Sequence, residues 1–181
     1  MTVFIALFRA INVGGNRLVK MEALRALHES LGLRGVRSYI QSGNVVFSSD
    51  ETDTTRLQKQ LEGAFEERFG FHSDVLLRTS AELLEIIQNN PFGNQPDKKR
   101  EFTVVMFLAK APDGIAPYAL LKQHSGPEEV FIIGKQAYIY YTYGQGRSTL
   151  TGNVLEKKLN TVGTARNWNT ILQLYDMTQR A

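Results

Sequence analysis

The order of the predicted elements repeats once along the chain, and that repeat limits the fold more than any single motif does. Val3–Arg9 is an apolar run with β-branched and aromatic content, the pattern of a buried strand. Met21, Leu24, Leu27, His28 and Leu31 fall at helical spacing, and Gly32 ends that helix. Val36–Ile40 and Asn44–Ser48 read as strands joined through Gln41-Ser42-Gly43-Asn44, a hairpin signal. A helix over Asp53–Phe69, a strand over Ser73–Arg78 and a helix over Ser80–Asn89, capped by Ser80, complete the first half. Pro91–Arg100 holds two prolines, a glycine and a Lys-Lys-Arg run, and 94–101 is expected to be a linker.

The second half then runs through a strand at Phe102–Ala109 and a helix at Ile115–His124. A hairpin of Glu129–Ile133 and Gln136–Thr142 crosses Gly134-Lys135. A helix at Thr149–Leu159, an extended piece at 163–166 and a helix at Trp168–Gln179 close the chain. A β-α-β-β-α-β order is the ferredoxin-like unit. The expected fold is α+β, with two tandem ferredoxin-like subdomains built on antiparallel sheets, residues 1–93 and 102–181. The second carries the C-terminal helix. A single mixed sheet with helices on both sides is the competing arrangement.

With 181 residues the chain suits one domain or two intimate subdomains. It has no cysteine, which excludes disulfides, thiolate catalysis and Cys-ligated zinc. Its three histidines show no metal-ligand spacing, so no metal and no cofactor are expected. The first residues lack a basic region, and their apolar run is too short for a signal or a membrane span. A cytoplasmic protein with no membrane partner is expected. The net charge of +3 is unevenly spread: +3 over residues 1–20, −4 over 21–133 and +4 over 134–181. Should the fold join the two ends, they would make an anion-attracting surface.

Three polar segments stand out. In the first, Arg9 to Arg17, two glycines leave a strand and lead toward a helix. Gly14 and Gly15 either turn their N–H groups inward as an anion nest or supply positive φ for a tight turn. Asn12 and Asn16 could add amide donors. The loop is neither a phosphate-binding Walker loop nor a dinucleotide fingerprint. The second segment runs from Tyr143 to Asn153. Arg147 there could meet an anion, and Ser148 or Thr149 is a natural N-cap. The third holds the only Trp, in Thr164-Ala165-Arg166-Asn167-Trp168-Asn169-Thr170. Asn167 caps a helix whose buried stripe starts at Trp168, and Arg166 either clamps an anion or pairs with a structural acid. Tyr138, Tyr140, Tyr141 and Tyr143 put aromatics on both faces of one strand, which suits core packing more than base stacking. Glu128-Glu129 reads as a solvated face.

Four stretches together resemble a widespread bacterial family known only as a domain of unknown function. They are Arg9-x-Ile11-Asn12-Val13-Gly14-Gly15, Gln41-Ser42-Gly43-Asn44-Val45-Val46-Phe47, Gly144-x-Gly146-Arg147-Ser148, and Thr164-x-Arg166-Asn167-Trp168-Asn169-Thr170. The resemblance implies a cytoplasmic protein of two ferredoxin-like subdomains. It supplies no reaction, substrate or cofactor. This chain has Ala10 where members often have Gly, and Thr149 where they often have Lys.

The leading expectation is a binding module for an anionic ligand: a nucleotide, a phosphorylated metabolite or a nucleic-acid backbone. Its candidate ligands are Arg9, Asn12, Gly14, Gly15, Asn16, Arg17, Arg147, Ser148, Arg166, Asn167 and Asn169. Two alternatives stay open. One is a structural or protein-interaction module. The other is a metal-independent enzyme acting on a phosphorylated or carboxylated substrate through Ser42, Ser148 or a histidine. The oligomeric state is left open.

Overall fold

The structure, a computed structural model, describes residues 1–180. Along the chain run β1 (Thr2–Phe8), α1 (Met21–Ser30), β2 (Arg34–Tyr39), β3 (Asn44–Ser49), α2 (Thr54–Phe69), β4 (Val75–Thr79) and α3 (Ser80–Gln88). There follow β5 (Thr103–Leu108), α4 (Ala116–Lys122), β6 (Glu129–Ile133), β7 (Gln136–Tyr140), α5 (Gly152–Leu159), β8 (Gly163–Asn167) and α6 (Trp168–Thr178). The strands form two four-stranded sheets, ordered β2-β3-β1-β4 and β6-β7-β5-β8, with every pairing antiparallel. The fold is therefore α+β with the tandem ferredoxin-like order.

Two compact units result. The first is Met1–Glu85 with the chain from Gln173 on, and the second is Ile86–Leu172. The repeat reaches individual residues. Arg78 stands opposite Ile5 in one sheet, and Arg166 opposite Val105 in the other. A glutamate from the second helix of each unit accepts the first N–H of the last strand, Glu62 from Val75 at 3.0 Å and Glu156 from Gly163 at 2.9 Å. The N–H that ends each first strand donates to the hairpin turn, Phe8 to the Gly43 carbonyl and Leu108 to that of Lys135.

Strand alternation builds each core. Phe4, Ala6 and Phe8 of β1, with Val45, Phe47, Val75 and Leu77, face Leu24, Leu27, Leu57, Leu61 and Phe65 of the first two helices. In the second unit Val104, Met106, Leu108, Ala137 and Ile139 pack with Leu155 and Leu159 of α5. The other faces are buried too: Ile5, Leu7, Val46 and Leu76 in one sheet, Val105, Phe107 and Tyr138 in the other. This is why these strands read as near-continuous apolar runs rather than alternating ones.

Several boundaries differ from the sequence reading. Thr79, not Ser80, caps α3: its hydroxyl accepts the Glu82 N–H at 3.1 Å, and the Glu82 carboxylate takes the Thr79 N–H at 2.7 Å, a capping box. Helix α5 starts at Gly152 under a Thr151 cap, because Gln145–Arg147 form a 3-10 turn and the Ser148 hydroxyl is committed to Glu128. The tyrosine strand stops at Tyr140, since Gly144 (φ 84°) turns the chain and the Thr142 hydroxyl bonds the Pro127 carbonyl at 2.9 Å. Among the described residues no helix is long and apolar enough to cross a membrane.

Candidate functional site

In the first unit, Arg9, Asn12, Gly14, Gly15, Asn16 and Arg17 lie on one loop. Gly14 and Gly15 have φ of 59° and 77°, and Val13 bridges Asn16 across them. Two consecutive positive φ values make this a tight primed turn. Asn12 fastens the loop. Its amide donates to the carbonyls of Val19 (2.9 Å) and Gln41 (2.7 Å), and its oxygen accepts the Val19 N–H (2.7 Å). Arg9 pairs with Asp74 at 3.6 Å, and Arg17 sits 5.6 Å over the Phe71 ring. Asn16 is exposed.

This loop interlocks with the hairpin at 41–44. A Cβ on Gly43, whose φ is 71°, would fall 2.7 Å from Ile11 Cδ1 and 2.8 Å from Phe8 Cβ. Ile11 thus fills the space a side chain on Gly43 would need. The backbone is strained here: Ala10, Asn12, Arg17 and Ile40 all have φ between 49° and 55°. Ala10 occupies the left-handed region, which accounts for the Gly that the resembling proteins often carry there.

In the second unit, Arg147 is exposed, and no ion pair engages it among the described residues. Arg166 is buried: its guanidinium donates to the Thr164 hydroxyl and the Ala165 carbonyl, both at 2.8 Å, and desolvation pushes its pKa down to about 10. It remains charged at neutral pH. Asn167 caps α6 by accepting the Thr170 N–H at 2.8 Å, and Asn169 is exposed.

Ser148 belongs to a polar cluster. Its hydroxyl donates to the Glu128 carboxylate, and His124 Nε2 lies 2.7 Å from the other carboxylate oxygen. The Glu128 side chain is 5% exposed, so it is not a solvated face. Burial raises its pKa, but the bonds from Ser148 and His124 outweigh this and hold it below the usual carboxylate range. A lowered pKa makes this carboxylate a weaker general base than an ordinary one. Ser148 and His124 both bind it instead of each other, so the order nucleophile, base, orienter is missing. Gly126 lies against the pair; a Cβ there would collide with both side chains. The cluster fastens the loop before β6 to the turn before α5.

The other histidines are engaged as well. His28 is in the first core: Nδ1–H donates to the Leu24 carbonyl at 2.8 Å, Nε2 has no hydrogen-bond partner among the described residues, and burial lowers its pKa to about 4. His72 is exposed between Glu66 and Asp74. Among the described residues no group of three or more His, Asp or Glu could hold a metal ion.

The second unit also contains a cleft that motif reasoning missed. It has a volume of about 300 Å³, and Asn90, Phe92, Asn94, Lys98, Arg100 and Trp168 are among its walls. Trp168 and Phe92 are buried residues of its wall. Lys98 pairs with Glu129 and lies 4.4 Å over the Tyr140 ring; the Glu129 bond holds its pKa above the ordinary lysine value. Arg100 is exposed, and no acid engages it among the described residues. The one available signal was the Lys98-Lys99-Arg100 run beside two asparagines, which has the composition of a linker.

The fold therefore defines a protein of two ferredoxin-like units, the second holding a small aromatic and basic cleft. A family model described as Protein of unknown function (DUF1697) matches residues 1–138, and the chain belongs to that family. No curated protein matches it. Among solved structures it is similar to one described as the conserved bacterial protein SP0830 from Streptococcus pneumoniae, with a TM-score of 0.76 and 26% identity over 98% of each chain.

Proposed function

We propose that the protein binds a small anionic ligand with a flat apolar part, such as a nucleotide or a phosphorylated aromatic metabolite, in the cleft of the second unit. The observation that carries this reading is the pairing of Trp168 with Arg100 around one cavity of about 300 Å³. Arg100 has no acid paired with it among the described residues and can meet a phosphate or carboxylate with two parallel N–H bonds. Lys98 adds a second cation, partly offset by Glu129. Asn90 and Asn94 give the wall amide groups that can orient a polar edge. Volume favours a small molecule over a nucleic-acid backbone. Of the three segments singled out in the sequence, the closing one takes part, through Trp168.

Because Trp168 is the only tryptophan, its fluorescence reports on the cleft directly. Titration with nucleotides, sugar phosphates and inorganic phosphate is expected to give a saturable change for one class. Arg100→Ala should weaken that binding by about tenfold or more, the worth of a charge-assisted contact, without moving the melting temperature. Absence of any saturable change across the panel would overturn the reading. So would binding that Arg100→Ala leaves intact.

A further inference from the structure

The two cations that line the cleft are not equivalent. Lys98 is compensated: its amine bonds the Glu129 carboxylate, stands 3.9 Å from that of Asp97, and sits 4.4 Å from the centre of the Tyr140 ring. Its side chain is 12% exposed. Arg100 is exposed and has no acid paired with it among the described residues. No acid is among the residues that line the cleft. Asn90 adds a neutral donor. Its side-chain oxygen accepts the Phe92 N–H at 3.0 Å, which fixes the orientation of the amide. The amide N–H groups are left without an acceptor among the described residues. The cleft therefore offers one uncompensated positive charge and one uncommitted amide, in a wall that also holds Trp168 and Phe92.

We infer that the cleft selects a singly charged aromatic anion, a carboxylate or a phosphodiester, and that the Lys98–Glu129 pair sets this charge limit. The inference rests on the cleft being the ligand site and narrows that reading to one charge class. A carboxylate or a phosphodiester brings one negative charge, which Arg100 can meet through two parallel N–H bonds. A phosphate monoester brings nearly two above its second pKa of about 6. Its second charge would meet a Lys98 already compensated, with the Glu129 carboxylate bonded to it. That charge would lose water beside an apolar wall and gain no counter-ion in exchange. A second free cation would hold it, and Lys98 would be that cation if Glu129 were neutral. Glu129 is thus a specificity-determining residue that acts through Lys98 rather than by touching the ligand.

Tryptophan fluorescence tests this with phenylacetate, phenyl phosphate and methyl phenyl phosphate, three probes with the same ring. The titrations are run about two units above the second pKa of the monoester, where phenyl phosphate is a dianion. The wild type should bind phenyl phosphate about tenfold more weakly than its methyl ester. The tighter of phenylacetate and methyl phenyl phosphate identifies the head group. Glu129→Gln frees Lys98 and should move the ratio of the two phosphate affinities about tenfold toward phenyl phosphate. Lys98→Met combined with Glu129→Gln restores the wild-type charge count and should restore the wild-type preference, which a merely structural role for Glu129 would not produce. A wild type that prefers phenyl phosphate keeps the cleft as the site and overturns the charge limit. A ratio that Glu129→Gln leaves unmoved overturns it equally. If none of the three probes binds, the inference falls, and the reading of the cleft falls with it only when the wider panel of nucleotides and sugar phosphates is silent too.

Discussion

Helix α1 buries Met21, Leu24, Leu27 and His28, whereas α4, at the same place in the element order of the second unit, buries only Pro117. The first unit holds its helix with an aromatic core: His28 lies 5.7 Å from the Phe8 ring and 5.4 Å from that of Phe47, and Phe8 lies 5.0 Å from Phe65. The second unit ties α4 down with polar bonds. Lys158 Nζ donates to the Leu120 carbonyl at 2.8 Å, and His124 just past the helix bonds Glu128. Backbone strain divides the other way. Of the non-glycine residues with positive φ among the described ones, Ala10, Asn12, Arg17 and Ile40 are in the first unit, and only Asn160 is in the second. One strand order therefore tolerates two ways of fixing its first helix. They differ in response: apolar packing is indifferent to pH until a buried titratable group is forced to charge, while polar ties depend on charge throughout.

His28 gives the largest expected effect and the sharpest test of that contrast. Its folded pKa of about 4 lies below its ordinary 6.5, so the unfolded chain takes up the proton first. The stability this neutral histidine permits is complete above pH 6.5 and declines as pH falls toward 4. The full loss is roughly 3 kcal/mol, from about 1.4 kcal/mol per unit of pKa difference. The Glu128 carboxylate, held below its ordinary 4.5, loses its contribution only at lower pH again. Melting temperatures measured from pH 7 to 3 should show the first fall in wild type and not in His28→Leu. A His28→Leu profile that still falls between 6.5 and 4 would break the comparison, since the pH sensitivity would then belong to other groups.

Position 163 gives the next effect, and it separates units whose backbones correspond. Val75 begins β4, and Gly163 begins β8 in the same hydrogen bond to a helix glutamate. Val75 is fully buried and fits. A Cβ on Gly163 would stand 2.6 Å from Met106 Cε and 2.8 Å from the Phe107 carbonyl oxygen. The methionine can move; the backbone oxygen, held in the sheet, cannot. Gly163→Ala should cost about 2 kcal/mol by overpacking, read from urea unfolding. A cost near zero would mean that the second sheet yields where the first is fixed.

The parts of this fold that a reader of the sequence could see were those carried by local periodicity. The repeated element order, the Gly43 turn, the Asn167 cap and the buried Trp168 all follow from spacing and side-chain chemistry within a few residues. The cleft was hidden because its walls come from the end of α3, a loop, a 3-10 turn, β5 and the start of α6. No window of sequence contains them together, and Asn90, Asn94, Lys98 and Arg100 look like any solvated linker. Ser148 showed the composition of a cap. Its true partner, Glu128, is twenty residues away, and the four-residue spacing of His124 and Glu128 was no guide, because His124 lies past the end of α4 and Glu128 just before β6. The interlock of Ile11 with Gly43 is also long-range, although both residues lie in stretches that the family resemblance picked out.

Ala10 gives the smallest effect and tests where the strain resides. Its φ of 54° places an L side chain in the left-handed region, and its methyl group is exposed, so replacing it sacrifices no packing. Glycine adopts that conformation freely but has more freedom to lose on folding, so the two terms oppose each other. The strain is the larger, about 1–2 kcal/mol against under 1. Ala10→Gly should therefore stabilise the protein by about 0.5–1 kcal/mol, a rise of roughly 1–4 °C in melting temperature. A fall on the same substitution would show that the loop in solution has left the left-handed region. The hold of Asn12 on Val19 and Gln41 would then be looser than its three hydrogen bonds imply, and the first unit would lose its claim to be the more strained of the two.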